Sequence, residues 1–168
     1  MRHNTHMTQF IPPNAMHFVT GTWTDAAGQV AGTIVKHNAA TDETTVVNIP
    51  IIIPSNSVAL QGSKLDSIEI DYEVLVAACD AVTAVVNKVT RGADGAVAVV
   101  AAETFSYDTG HDTAAERYDV DQHRMTLTIT TPFFLDNDVY VLVELTFNKA
   151  ATTTVDILGA FANFTARD

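Results

Sequence analysis

The side chains best suited to chemistry lie in one long polar connection, residues 106–122. Its candidate ligand-binding side chains are Tyr107, Asp108, His111, Asp112 and Tyr118. Carboxylates and imidazoles can hold metal ions, but residues 108–112 do not follow the alternating carboxylate register of a calcium loop. Connections this long often carry function. We interpret the segment as a hydrated surface loop, with a metal site and a carbohydrate or receptor contact as the alternatives.

Patterns typical of catalysis are absent from the rest of the chain. The six histidines include no HExxH motif and no pair at a converging helical spacing, and there is no GxSxG, P-loop or GxGxxG sequence. Glu69, Asp71 and Glu73 follow one another at strand spacing, which places them in solvent and not in a glycosidase cleft. The sequence therefore predicts no catalytic residue, no metal and no cofactor. A cupin-like or hydrolytic enzyme would need His111, His123 and nearby carboxylates to converge.

Three further side chains could do chemistry. Cys79 is the one cysteine, so an intrachain disulfide is excluded, and its alanine-rich surroundings predict a small buried side chain. Trp23 and Tyr72 could form a stacking platform for a sugar. The residues around Trp23 instead favour a place in the core or at an interface.

The charge balance excludes several classes of partner. The chain has a net charge of −11, from 20 acidic and 9 basic residues, and the basic residues are scattered singly. Nucleic acids and anionic membranes both need clustered Lys and Arg. The first ten residues contain no apolar stretch typical of a signal peptide, and the longest aliphatic run is 51–53. We expect no signal peptide, no membrane span and no direct nucleic-acid contact.

The element pattern that must position these side chains is a two-residue alternation. In 67–74, apolar residues fall on one face and Ser, Glu and Asp on the other, and 124–130 repeats this with outward threonines. Strands are predicted near 16–24, 30–37, 43–53, 65–77, 82–91, 96–105, 123–131, 139–148 and 154–165. The alanine-rich stretch 75–89 is predicted to be a hairpin reversing near Cys79, since its β-branched residues disfavour a helix. The fold class is all-β: an antiparallel, jelly-roll-like β-sandwich.

Some predicted strands are apolar on both faces. Val141, Val143 and Leu145 lie on one side of the segment 139–147, while Tyr140 and Leu142 lie on the other. The outer face of a lone sandwich should be polar. We therefore expect a second buried surface and assign Val141, Val143 and Leu145 to a subunit interface. Cover by the chain's own arm is the alternative.

Residues 1–15 show neither strand nor helix periodicity. They close with Pro12 and Pro13, which remove two backbone donors before the first predicted strand. The domain prediction is an extended N-terminal arm over 1–15 and one sandwich domain over 16–168. Phe10, Ile11, Pro12 and Pro13 are the expected docking residues of that arm.

The segments Ser63–Tyr72 and Thr131–Glu144 resemble β-sandwich virion proteins of tailed phages, namely head decoration proteins, head fibres and short tail-fibre modules. That resemblance implies a homotrimer, an arm docked on a major capsid or other virion protein, no catalysis, and a place on the virion surface after synthesis in the host cytoplasm. The leading hypothesis is thus a non-enzymatic structural virion protein. The alternative is a glycan- or receptor-binding sandwich that uses the 106–122 loop.

Overall fold

The computed structural model describes residues 4–27, 29–38, 40–54 and 62–167. These residues form an antiparallel β-sandwich, which confirms the predicted fold class. The strands are β1 (Asn4–Ile11), β2 (His17–Phe18), β3 (Trp23–Asp25), β4 (Val35–Asn38), β5 (Glu43–Ile51), β6 (Ser63–Leu75), β7 (Cys79–Thr90), β8 (Val99–Glu103), β9 (Phe105–Tyr107), β10 (Gln122–Leu135), β11 (Val139–Lys149) and β12 (Thr154–Arg167). Helix α1 covers Ala114–Tyr118, and single 3₁₀ turns cover Pro13–Ala15 and Ala93–Gly95.

Two sheets pack face to face. Sheet A has seven strands in the order β3-β4-β12-β6-β10-β9, and β1 pairs with the later part of β12. Sheet B has five strands in the order β2-β5-β11-β7-β8. Among the described residues no helix is long and apolar enough to cross a membrane.

The core lies between the sheets and follows the predicted alternation. On β6, Ile68, Ile70, Tyr72 and Val74 are each 0% exposed, and they pack against the inward residues of β7 and β11. The predicted hairpin over 75–89 is wrong. The chain does reverse just before Cys79, but β6 belongs to sheet A and β7 to sheet B, so the two strands do not pair with each other. Val76 in that reversal has a φ of 72°, a left-handed conformation that is strained for a β-branched residue.

The assignment of Val141, Val143 and Leu145 to a subunit interface is wrong. All three side chains are 0% exposed and lie in the chain's own core, because β11 is the central strand of sheet B and these residues point toward sheet A. The outer face of β11 instead carries Tyr140 and Leu142. Tyr140 is 45% exposed there.

The prediction that the N-terminal segment is an arm and not a strand is wrong for residues 4–11. They form β1, paired with β12 in a continuous register from Asn4 opposite Arg167 to Ile11 opposite Ala160. Periodicity is missing because residues 4–10 are all exposed, so burial imposes no alternation on this edge strand. Of the expected docking residues, Ile11 and Pro13 are buried, Pro12 is half-buried and Phe10 is 47% exposed.

Candidate functional site

The outer face of sheet A carries an ordered set of polar and aromatic side chains, which we call the platform. Four strands supply it, since β1, β12, β6 and β10 lie side by side. Its members are Thr8, Phe10, Glu69, Asp71, Arg124, Phe161 and Asn163. The register places Phe10 opposite Phe161, Phe161 opposite Glu69, and Asp71 opposite Arg124.

Two phenylalanine rings form the apolar part of the platform. The centroids of Phe10 and Phe161 are 5.0 Å apart with an interplanar angle of 46°. Phe10 lies directly over Gly159, where a Cβ atom would stand 2.6 Å from the ring. Gly159 also has a φ of 147°, so glycine is needed here both for backbone conformation and for the close approach of the ring.

Arg124 is fixed beside these rings. Its Nε and Nη2 atoms donate to the two carboxylate oxygens of Asp71 at 2.8 and 2.7 Å, a bidentate pair. The guanidinium also lies 5.3 Å from the centroid of Phe161. Hydrogen bonding to the Asp71 carboxylate and its charge raise the pKa of Arg124 above its usual range.

A second hydrogen-bonded row crosses the platform through Asn163. Its Nδ2 donates to Glu69 Oε1 at 2.7 Å and to Ser67 Oγ at 3.3 Å. Its Oδ1 accepts from Thr8 Oγ1 at 2.7 Å. These contacts fix the amide orientation, so the platform presents donors and acceptors in a set geometry.

An open groove of about 470 Å³ lies next to the platform. Its lining residues are Asp71, Tyr72, Gln122, His123, Arg124 and Leu158. Leu158 is the extra residue where the β12–β6 register shifts between Ile157 and Gly159. The groove therefore lies where a bulge interrupts the pairing of sheet A.

The surroundings of the groove are acidic. Glu73 accepts a hydrogen bond from Gln122, and Asp156 lies opposite Glu73 across the β12–β6 pair. Burial raises the pKa of Asp156, and the opposing effect of Lys36 is smaller. Since Arg124 is already paired with Asp71, the site has no uncommitted guanidinium to attract an anion.

The predicted ligand loop is folded onto the protein. Asp108 accepts hydrogen bonds from the backbone nitrogens of Thr126 at 2.6 Å and Gly110 at 2.9 Å. Its carboxylate also lies 2.9 Å from His111 Nδ1. Thr113 and Glu116 form a reciprocal capping box that begins α1. The Asp108 carboxylate is thus used internally.

His111 and His123 lie side by side although no helical spacing joins them in the sequence. His111 Nε2 lies 3.3 Å from His123 Nδ1, and His123 Nε2 lies 3.0 Å from the carbonyl oxygen of Asp119. The Asp108 carboxylate and this carbonyl can only accept, so His111 donates its Nδ1–H to the carboxylate and His123 its Nε2–H to the carbonyl. The pair therefore lies fixed beside Asp108.

The remaining loop residues also make internal contacts. Tyr72 Oη donates to the Arg117 carbonyl at 2.6 Å, and the Arg117 guanidinium lies 4.2 Å from the Tyr107 ring centroid. Tyr107 Oη accepts from the Ala84 backbone nitrogen at 3.3 Å. Tyr118 is half-buried against the core, and Asp112 is exposed. Of the five predicted ligand residues, Asp112 is exposed, His111 is buried, and Tyr107, Asp108 and Tyr118 are half-buried.

Of the two residues considered for sugar stacking, Trp23 lies away from the platform and Tyr72 lines the adjoining groove. Trp23 is half-buried, packed against Phe18 at 4.8 Å and His37 at 5.0 Å. Tyr72 is 0% exposed, stacked on His123 at 4.7 Å, and burial raises its pKa far above the usual range. No three His, Cys, Asp or Glu side chains in the described part of the chain converge on a metal position. Of the platform residues, the sequence indicates Phe10 as a docking residue and Glu69 and Asp71 as solvated carboxylates, and none of them as a ligand contact.

Comparison with known proteins gives the following. No family model matches the sequence, and no curated protein matches it. Two solved structures that it resembles are family 11 carbohydrate-binding modules from Clostridium thermocellum, one in complex with a β-1,3-1,4-mixed-linked tetrasaccharide and one of the cellulosomal cellulase Lic26A-Cel5E. Each is 10% identical with a TM-score of 0.32, over 95% of this chain and 87% or 86% of the other. The phage resemblance, the virion location and the trimer stay predictions.

Proposed function

We propose that the chain is a non-catalytic glycan-binding module whose ligand lies on the platform and in the adjoining groove. The observation that carries the proposal is the fixed set of aromatic and polar side chains on the outer face of sheet A. This differs from the glycan-binding alternative drawn from the sequence, which used the 106–122 loop. Tyr107, Asp108 and His111 of that loop are engaged in internal contacts, whereas Phe10 on the platform is 47% exposed.

The chemistry of the platform suits a sugar ring. One face of a pyranose exposes C–H bonds that pack on an aromatic ring, and its edge exposes hydroxyl groups. Phe10 and Phe161 supply the rings, and Asp71, Arg124 and Asn163 supply acceptors and donors held by their mutual hydrogen bonds. Preorganised polar groups beside an apolar surface are typical of small-ligand sites, because little ordering is left to do on binding.

The ligand class follows from charge. The chain has a net charge of −11, and the site's own cation is paired with Asp71. Uronic acids, sialic acids and sulfated sugars would be repelled. The proposed ligands are therefore neutral polysaccharides.

The carboxylates of the site do not support hydrolysis. Asp71 is bound to Arg124 and Glu69 is bound to Asn163, on an open sheet surface. Glycosidases use two carboxyl groups that face each other across the scissile bond, one of them protonated. The platform has the hydrogen-bonding capacity to bind a sugar without this arrangement.

The test is binding to a panel of neutral and anionic polysaccharides, followed by calorimetry with the best ligand. We expect binding to at least one neutral glycan and none to polygalacturonate or alginate. Phe161→Ala and Arg124→Ala should each weaken binding by about tenfold or more, which corresponds to roughly 1.4 kcal/mol. Failure of every neutral glycan to bind, or unchanged binding by both variants, would refute the proposal.

Matched controls are available on other surfaces. Tyr140→Ala removes an exposed aromatic ring from the outer face of sheet B, and Arg91→Ala removes an exposed arginine just beyond β7. Both should bind the glycan as the wild type does. Thermal unfolding of all four variants separates a lost ligand contact from a lost fold.

A further inference from the structure

Sheet B ends in a strand with an open edge. β8 pairs with β7 from Val99 opposite Thr90 to Glu103 opposite Val86, and it is the last strand in the order of sheet B. Among the described residues no strand pairs with its other side. Backbone N–H and C=O groups on such an edge are positioned to bond another extended chain.

This edge lacks the features that normally protect one. Residues 96–102 are all alanine or valine, and within β8 Val99 and Val100 are 66% and 60% exposed. Natural edges usually carry a charge, a proline or a bulge, yet the β7–β8 register is regular and its first charge is Glu103. β1 also has an open side, but its exposed residues include Asn, Thr, His and Gln, which suit solvent.

We propose that β8 is a homodimer interface, at which the β8 strands of two copies pair antiparallel about a two-fold axis at Ala101. The open edge of β8 in each copy then bonds to the same edge of the other copy, as expected for an isologous contact. Val99 lies opposite Glu103 of the second copy, and Val100 lies opposite Ala102. Sheet B continues through both chains.

Charge supports a second copy in this orientation. Two chains of net charge −11 repel each other over most of their surfaces, whereas 96–102 carries no charged side chain. Antiparallel pairing about Ala101 places the two Glu103 residues four positions apart along the strands. At about 3.4 Å per residue this is roughly 14 Å, beyond the Debye length of about 8 Å at physiological salt. Parallel pairing would bring the two carboxylates side by side.

The paired segment is short, so we expect a reversible dimer with a dissociation constant in the micromolar range, at the low end of interface sizes. Sedimentation analysis at about 1 to 300 µM should show the mass rising from 18.1 kDa toward twice that value. Val100→Asp should keep the chain monomeric, because two new carboxylates enter the paired edge. Val97→Asp makes the same change outside β8 and should still dimerise.

A cysteine at the axis tests the register. Facing residues of an antiparallel pair have Cα atoms about 4.5 to 5.5 Å apart, within the range of a disulfide. Ala101→Cys should therefore form an intermolecular disulfide under mild oxidation, and Val97→Cys should not. The native Cys79 is 3% exposed and does not interfere.

Several outcomes would overturn the proposal. These are a wild-type chain that stays monomeric at the highest concentration, a trimer, a Val100→Asp variant that still dimerises, and a dimer in which Ala101→Cys does not cross-link. Polysaccharide binding is not used in either experiment, so this inference stands or fails independently of the proposed function.

Discussion

Replacing Asp108 with asparagine tests how the segment between β9 and β10 is held to the sandwich. The Asp108 carboxylate accepts from the backbone nitrogens of Thr126 and Gly110 and from His111. Burial alone would raise its pKa, but the hydrogen bonds from Thr126, His111 and Gly110 outweigh burial and lower the pKa below its ordinary value. The structure therefore uses the charged form of this side chain.

The magnitude follows from the hydrogen bonds. Asparagine keeps one oxygen, so its amide nitrogen must face one of the donors that the second oxygen now serves. A hydrogen bond to a charged group contributes about 1.5 to 3 kcal/mol when buried. The Asp108 side chain is 31% exposed, which places the expected loss near the lower limit, about 2 kcal/mol. For a domain of this size that lowers the melting temperature by roughly 4 to 8 °C.

The lowered pKa of Asp108 determines how the stability difference between wild type and Asp108→Asn changes with pH. A carboxyl group whose pKa is lowered on folding stabilises the protein above its unfolded pKa of about 3.9, and this stability is lost as pH falls through the folded pKa. The difference between wild type and Asp108→Asn should therefore be constant from about pH 5 to 7 and shrink at pH 3. Thermal unfolding followed by circular dichroism measures it. Asp119→Asn removes an exposed charge from the same segment and should change little. A loss of unfolding free energy below about 0.5 kcal/mol in Asp108→Asn would refute the reasoning, and so would a loss as large at pH 3 as at pH 7.

Two further predictions concern buried groups. Burial raises the pKa of Asp156, and the charge of Lys36 only partly offsets this effect. A carboxyl group whose pKa is raised on folding destabilises the protein as pH rises and the group ionises. Asp156→Asn should therefore raise the melting temperature at pH 7 and not at pH 3. Burial raises the pKa of Cys79 to about 11, so a thiol reagent at pH 8 should modify it only on unfolding; fast labelling of the native protein would contradict this.

Sequence patterns predicted those strands whose two faces differ in environment. On β6 and β10 one face is buried and the other carries acids or threonines, so the alternation is visible without any partner strand. β1 could not be predicted in this way, because both of its faces are exposed and its sequence does not alternate. The strand is held in place by its backbone hydrogen bonds to β12. β11 alternates as the sequence indicates, but which partner its apolar face contacts depends on the position of β11 at the centre of sheet B.

The candidate site could not be assembled from spacing along the chain. Phe10 and Phe161 meet because β1 pairs with β12, and Arg124 reaches Asp71 because β10 pairs with β6. Each contact depends on a register between strands distant in sequence. His111 and His123 likewise meet only because the chain between them turns back through α1. A weak signal was present, since Phe161 and Asn163 alternate with buried alanines on β12.

The two proposed surfaces belong to opposite sheets, and this has a consequence for how they would act together. Antiparallel pairing of β8 keeps the inner faces of both copies of sheet B on one side of the continuous sheet. Both copies of sheet A, and both platforms, then lie on that same side. The right-handed twist of strands rotates neighbours by about 20° or more, so the platforms diverge across the dimer. Such a pair suits a flexible polysaccharide that bends between two sites. Binding to an immobilised glycan would then gain from the effective concentration of the second platform, while a short soluble oligosaccharide would bind each platform independently.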